Sequence, residues 1–233
     1  MSKPHCIVVG VGPGTGLACA RRFAEQGYVV SMIARNQGRI EAFADDVDGG
    51  VGYAADIADL DAYAETLRSI VDQHGVPKVV IYNATLAAFG RYEDVTVDKF
   101  ELSYRVNTTG LLVTAQVLAP RMAELDDSSL IVTGNTGSQR GKPNFVGWSP
   151  SKAAQRILAE ALARELGPSG LHVAYVVIDA VIDMPFARKR MGEHPDDYYA
   201  KPDELAGEIY HVAHQPKSAR SFLIELRPFG EAW

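Results

Sequence analysis

From end to end the chain repeats one pattern: a short apolar run rich in β-branched residues, then a segment with helical periodicity. Strand-like runs stand at 5–10 (HCIVVG), 28–34, 51–56, 78–84, 129–134, 171–179 and 221–226. Between them, 14–27 carries Leu17, Ala20 and Ala24 on one helical face, the spacing of an amphipathic helix. Further helices are expected around Ile40 and Phe43, at 59–74, at 96–124 with a break near Asn107, at 149–166 and at 203–214. A strand that is apolar throughout must be covered on both faces, and intervening helices supply the cover when the strands run parallel. The expected fold is therefore α/β: a doubly wound, Rossmann-type, seven-stranded parallel sheet with helices on both faces. Its 233 residues suit a single domain spanning 1–233, with no linker or repeat.

Composition narrows the function classes. The net charge of -6 argues against nucleic acid as a partner, because phosphate binding needs clustered Lys and Arg. No apolar run approaches the ~20 residues that span a bilayer, so no membrane partner is expected. The opening MSKPHCIVVG enters a strand at once and leaves no room for a signal peptide. A cytoplasmic protein is the expectation. Cys6 and Cys19 sit in apolar patterns and read as small buried hydrophobes. His211 and His214 share a helical face but lack an acidic or cysteine partner, so no metal site is expected.

The first strand runs into VVGVGPGTGLA, residues 8–18, which opens the first helix. Gly10, Gly14 and Gly16 allow a sharp turn and a close approach of a pyrophosphate to N–H groups at the helix start; Thr15 stands inside the motif. The second strand ends in Ala34-Arg35. Many NAD-binding sheets place an acid there for the ribose 2′-hydroxyl. An acid repels a 2′-phosphate, whereas an arginine pairs with one bidentately. The expected cofactor is NADP(H).

Together these features resemble the short-chain dehydrogenase/reductase family over essentially the whole chain. The glycine motif matches at Gly10, Gly14 and Gly16, and the turn after strand four is Asn83-Ala84-Thr85. Asp56, with Ile57 beside it, falls where the family contacts adenine. Asn107 matches the active-site asparagine and Lys152 the catalytic lysine, which the resemblance assigns to holding the cofactor ribose. The departures cluster. The family tyrosine four residues before the lysine is Trp148, and its serine falls on Asn135. The Pro-Gly turn after strand six is Asp179-Ala180, and a carboxamide-binding threonine falls on Met184.

The resemblance thus keeps the nucleotide half and rebuilds proton transfer. Asn135 can offer an amide N–H to a substrate oxygen, with Thr136 and Ser138 nearby, and Trp148 can donate one hydrogen bond or stack on a ring. Asp179 and Asp183 are candidate acids if desolvated, though capping or ordering the following segment suits them better. Tyr92, Tyr198 and Tyr199 read as packing residues. Pro150 belongs in a first helical turn, so a helix capped by Ser149 is expected, with Lys152 in its first turn. Residues 184–204 form the expected lid. Its Arg188, Lys189 and Arg190 suit an acidic substrate less well than a solvated charge run. The leading reading is an NADP(H)-dependent oxidoreductase acting on a small molecule through a non-standard proton donor. A catalytically silent NADP(H) sensor or scaffold is the alternative, and a nucleoside-sugar epimerase a third. Small residues around the helix 149–166 point to a homodimer or homotetramer.

Overall fold

The computed structural model describes residues 3–231; residues 1–2 and 232–233 of the expected span lie outside them. In chain order the elements are β1 (His5–Val9), α1 (Thr15–Glu25), β2 (Val29–Ala34), α2 (Gln37–Asp45), β3 (Gly50–Ala54), α3 (Leu60–His74) and β4 (Val79–Tyr82). There follow α4 (Val97–Tyr104), α5 (Gly110–Met122), β5 (Ser129–Gly134), α6 (Ser149–Leu166), β6 (His172–Ile178) and β7 (Val181–Ile182). The chain ends through α7 (Pro185–Met191), β8 (Tyr199–Ala200), α8 (Pro202–Ala213) and β9 (Leu223–Leu226).

Seven strands form one parallel sheet in the order β3-β2-β1-β4-β5-β6-β9. Side chains alternate between its faces. Cys6 and Val8 join a core with Leu17, Phe23 and Ile209 from α1 and α8. Ile7 and Val9 join the opposite core with Leu67, Leu118 and Ala159 from α3, α5 and α6. This is why β1 is buried at every position and reads as a continuous apolar run. The order reverses between β1 and β4, and beyond the carboxyl ends of those strands no crossover fills the space. That switch point is where open α/β sheets bind ligands.

Local chemistry sets the helix ends. Asp59 caps α3 through Ala62 N–H, and Gly75 ends it at φ 82°. Asn36 caps α2 by accepting from Arg39 N–H at 2.9 Å, Thr96 caps α4, and Pro202 opens α8. The expected break near Asn107 is a π-helical turn over Arg105–Thr109 that joins α4 to α5. Such turns redirect backbone groups and often mark functional sites.

Two details differ from the sequence reading. The segment after β6 contains a parallel pair, β7 with β8. Strands of two residues, separated by a helix, are too short to show periodicity. The helix α6 begins at Ser149 as expected, but its cap is Trp148, with no side-chain capping bond. The Ser149 hydroxyl is instead buried without a partner.

Candidate active site

At the switch point lies a groove of about 690 Å³, lined by residues 10–16, 34–36, Arg39, 55–57, 83–86, Val106, Ile182 and Met184. The expected nucleotide residues Gly10, Gly14, Thr15, Gly16, Arg35, Asp56, Ile57, Asn83 and Ala84 all fall on it. The strand-to-helix turn is built tightly. Gly10 has φ 84°, and a Cβ there would sit 2.5 Å from the Ala84 backbone nitrogen. Asn83 fastens the turn: its Nδ2 donates to Gly10 O at 2.9 Å and its Oδ1 accepts from the Thr133 hydroxyl at 2.9 Å. Asn83 therefore supports the loop as well as lining the groove. Met184 covers Gly14 from the lid side, its Sδ 2.7 Å from where a Cβ would be.

These residues fit a dinucleotide. The α1 N-terminus has no side-chain cap, so its N–H groups and partial positive charge face the groove. The Thr15 hydroxyl is buried without a partner, a donor placed where an anion would need one. At the β2 end, Arg35 and Arg39 are both exposed on the lining, and neither is ion-paired among the described residues. Arg39 was not singled out from the sequence, although ARNQGR spaces the two arginines across a helix start. Asp56 accepts from Ala58 N–H at 3.0 Å and is the one acid on the lining among the described residues.

None of the expected catalytic residues is on the lining of this groove, and two of them, Lys152 and Asn107, are buried. Lys152 is 2% exposed and is absent from the lining. Its Nζ donates to Thr133 O at 3.0 Å and to Gln155 Oε1, so in this structure the ammonium does not reach the cofactor groove. Burial pulls its pKa down to about 7. Asn107 is fully buried. Its Oδ1 accepts from Leu86 N–H at 2.8 Å and its Nδ2 reaches Ser151 Oγ at 2.8 Å. It pins the loop after β4 to α6. Asn135 is half-buried and caps the short turn that follows it, accepting from Gly137 N–H at 2.8 Å. Ser138 donates to Asn135 O at 2.6 Å. Ser138 and Thr136 are both buried.

Trp148 stands among aromatic rings. Phe145 stacks on it at 5.5 Å and Phe89 meets it edge-on at 4.7 Å. Its indole Nε1 donates to Thr85 Oγ1 at 3.3 Å. Thr85 lines the groove, and a hydroxyl that accepts this bond keeps its own proton to donate. Sequence reasoning passed over Thr85, because the tie to Trp148 spans 63 residues.

Within the segment 184–204, expected as a lid, some charges are paired internally. Arg188 pairs with Asp183 at 2.5 Å and Asp196 at 2.8 Å, and its guanidinium lies 4.5 Å from the Tyr199 ring centre. Lys201 also pairs with Asp183. Hydrogen bonds from Arg188 and Lys201 hold the Asp183 carboxyl well below the usual range, so it stays ionised and cannot act as the acid near neutral pH. Asp179 lies 3.6 Å from Arg227 and 3.9 Å from Arg140. Tyr199 is buried and donates to Gly192 O, while Tyr92 is 73% exposed. His214 packs on Tyr210 and bonds to Tyr28. No metal-binding group of His, Cys, Asp or Glu occurs among the described residues, Cys6 and Cys19 are free and buried, and no helix is long and apolar enough to cross a membrane.

A parallel doubly wound sheet with a glycine-lined groove at its switch point defines a nucleotide-dependent α/β protein. The family model of the short chain dehydrogenases matches residues 4–190. Versicolorin reductase of Emericella nidulans is 29% identical over 180 residues, 75% of this chain and 68% of that protein. The 3-oxoacyl-(acyl-carrier-protein) reductase MabA of Mycobacterium tuberculosis is 28% identical over 220 residues, 91% of this chain and 86% of that protein. In structure, an alcohol dehydrogenase from the archaeon Thermococcus sibiricus, complexed with 5-hydroxy-NADP, superposes with a TM-score of 0.86 at 24% identity, covering 99% of each chain. The chain belongs to the short-chain dehydrogenase/reductase family and is an oxidoreductase of that type.

Proposed function

We propose that the protein is an NADP(H)-dependent oxidoreductase that moves hydride to or from a small molecule without a tyrosine acid. One observation carries this reading: the glycine-loop groove ends in Arg35 and Arg39, neither ion-paired among the described residues, and an arginine at the end of β2 suits a 2′-phosphate. The relative bound to 5-hydroxy-NADP supports the same cofactor class. The bound dinucleotide would supply the hydride. Gly10, Gly14, Thr15 and Gly16 would hold its phosphates, Asp56 and Ile57 its adenine end, and Ala84 its backbone path.

At the other end of the groove, Trp148 directs the Thr85 hydroxyl. That hydroxyl can donate to a substrate oxygen and stabilise charge developing on it. The oxygen's proton then comes from solvent. A homodimer or homotetramer in the cytoplasm belongs to the same reading, supported by the family resemblance and by exposed Ile157 on α6 and Leu112 on α5.

The test is turnover of NADPH with carbonyl, enone and imine panels by the wild type, Trp148→Tyr, and Trp148→Tyr with Asn135→Ser. A positioned acid contributes roughly 10²–10⁴-fold, so the wild type should reduce ketones slowly and the variants faster. Brisk wild-type ketone reduction would show that another acid serves. A double variant that binds NADPH and stays inert on every panel would favour the silent sensor.

A further inference from the structure

Trp148 does not stand alone beside Thr85. Phe145 and Phe89 both contact its indole and meet each other edge-on at 5.1 Å, so three rings form one wall. All three are half-buried, and Thr85 next to them is exposed. The wall is built from two loops, one after β4 and one before α6, and backbone contacts hold them together. Gly90 N–H donates to Asn144 O at 2.9 Å, Gly90 and Phe145 form an isolated parallel bridge, and a Cβ at Gly147 would sit 2.6 Å from Ala88 O. Rings fixed before a ligand arrives lose less freedom when it binds.

The helix α7 adds a charge to this wall. The Arg190 guanidinium lies 5.5 Å from the Phe89 ring centre, within reach of a cation–π contact. Arg188, two residues earlier, is occupied by Asp183 and Asp196. Arg190 has no ion pair or hydrogen bond among the described residues, although the chain holds 29 acids against 23 lysines and arginines. Its N–H donors therefore stay available, and a guanidinium takes a carboxylate through two parallel bonds. Phe186, four residues before it and so on the same face of α7, is 72% exposed.

We propose that the substrate is an aromatic carbonyl compound that carries a carboxylate: its ring lies against Phe89 and Trp148, its carboxylate pairs with Arg190, and its carbonyl oxygen meets the Thr85 hydroxyl. The proposal rests on the oxidoreductase reading above and names its substrate class. An aliphatic guest gains only buried area from such a wall, whereas an aromatic one also gains offset-stacked or edge-to-face contacts. A neutral guest leaves Arg190 without an anion. In the reduction, the carbonyl carbon gains hydride from NADPH, the π pair of the carbonyl moves to the oxygen, and the oxygen takes a proton from solvent. NADPH is oxidised to NADP⁺.

The test titrates para-acetylbenzoate, its methyl ester and the saturated acetylcyclohexanecarboxylate into the full chain by calorimetry. NADP⁺ is present so that no turnover occurs, and its own binding is measured first. The wild type should bind acetylbenzoate about tenfold more tightly than the ester, the effect of one exposed charge-assisted contact. It should prefer acetylbenzoate to the saturated acid by about threefold to tenfold, the effect of a ring pair. Arg190→Gln should erase the preference for acid over ester and leave ester binding unchanged. Lys189→Gln, the same loss of charge one residue away, should leave all three constants unchanged. Phe89→Leu should erase the preference for the aromatic acid, with near-UV circular dichroism as the check on folding. If Phe89→Leu does not fold, the wild-type comparison of aromatic with saturated acid still decides. Equal binding of acid and ester, equal binding of aromatic and saturated acids, equal losses in Arg190→Gln and Lys189→Gln, or no binding of acetylbenzoate overturns the proposal. Failure to bind NADP⁺ overturns the cofactor reading instead, and the same probes titrated without nucleotide then still read the wall and Arg190.

Discussion

Replacing Arg35 with alanine should separate NADPH from NADH. Arg35 and Arg39 lie at the β2 end of the groove, exposed and without acid partners among the described residues. No ion pair has to break before a phosphate binds, so a contact made there is not offset by one lost. A hydrogen bond to a charged group contributes about 1.5–3 kcal/mol, and solvent exposure holds this site to the lower end. Arg35→Ala should therefore weaken NADPH binding about tenfold, since ~1.4 kcal/mol is tenfold in an equilibrium constant. NADH lacks the 2′-phosphate and should change little. Arg35→Ala with Arg39→Ala should abolish the preference. Titration by nucleotide fluorescence, repeated at rising ionic strength, reads both constants. The preference should shrink with salt, because exposed charges are screened beyond about 10 Å at 0.1 M. Equal affinities in the wild type, or equal losses of NADPH and NADH in Arg35→Ala, would refute the reasoning.

Gly10→Ala forces a side chain onto φ 84° and against the Ala84 backbone. The conformation costs about 1–2 kcal/mol and overpacking about 1–3 more, so thermal unfolding should fall by roughly 5–15 °C. His5 is buried, donates its Nδ1–H to Gly75 O, shares a hydrogen bond between Nε2 and Ser31 Oγ, and is lowered to about 4, chiefly by burial. The unfolded chain then binds the proton more readily. Stability should decline as pH falls from about 6.5 to 4, by on the order of 3 kcal/mol, and His5→Gln should flatten that slope in urea titrations. Asp183 is held below the ordinary range by Arg188 and Lys201. Its contribution is complete above an unfolded value of about 3.9 and is lost as pH falls below it. Hydrogen exchange in 184–200 should therefore quicken under those acidic conditions, and Asp183→Asn should produce the same quickening at pH 7.

How much of this was legible depended on how local each signal is. An interruption near Asn107 and the start of α6 before Pro150 were readable, because a proline and a helical period act within a few residues; that the interruption is a π turn was not. The fault in the Ser149 cap shows the limit. Trp148 holds the capping backbone position, where its ring is fixed by Phe89 and Phe145 from other loops. Gln155 left a trace in the sequence, a lone amide three residues after Lys152, but its partners at Asn107 lie 48 residues away. Arg188 looked like a solvated charge because its pairing with Asp183 and Asp196 depends on how the lid folds.

The sequence alone determined the alternation of strands and helices, and with it a parallel sheet covered on both faces. It also determined the glycine turn, since only glycine tolerates Ala84 so close at a positive φ. These are consequences of backbone sterics and of hydrophobic period, which a chain carries in consecutive residues. The tertiary structure decided where the functional side chains point. It buried Lys152 away from the groove lining, made Asn83 a fastener of the loop, and joined Trp148 to Thr85. Each outcome is a hydrogen bond or ring contact between distant segments. A buried polar group takes whichever partner the packed fold brings to it, because leaving it unpaired costs about 1–3 kcal/mol.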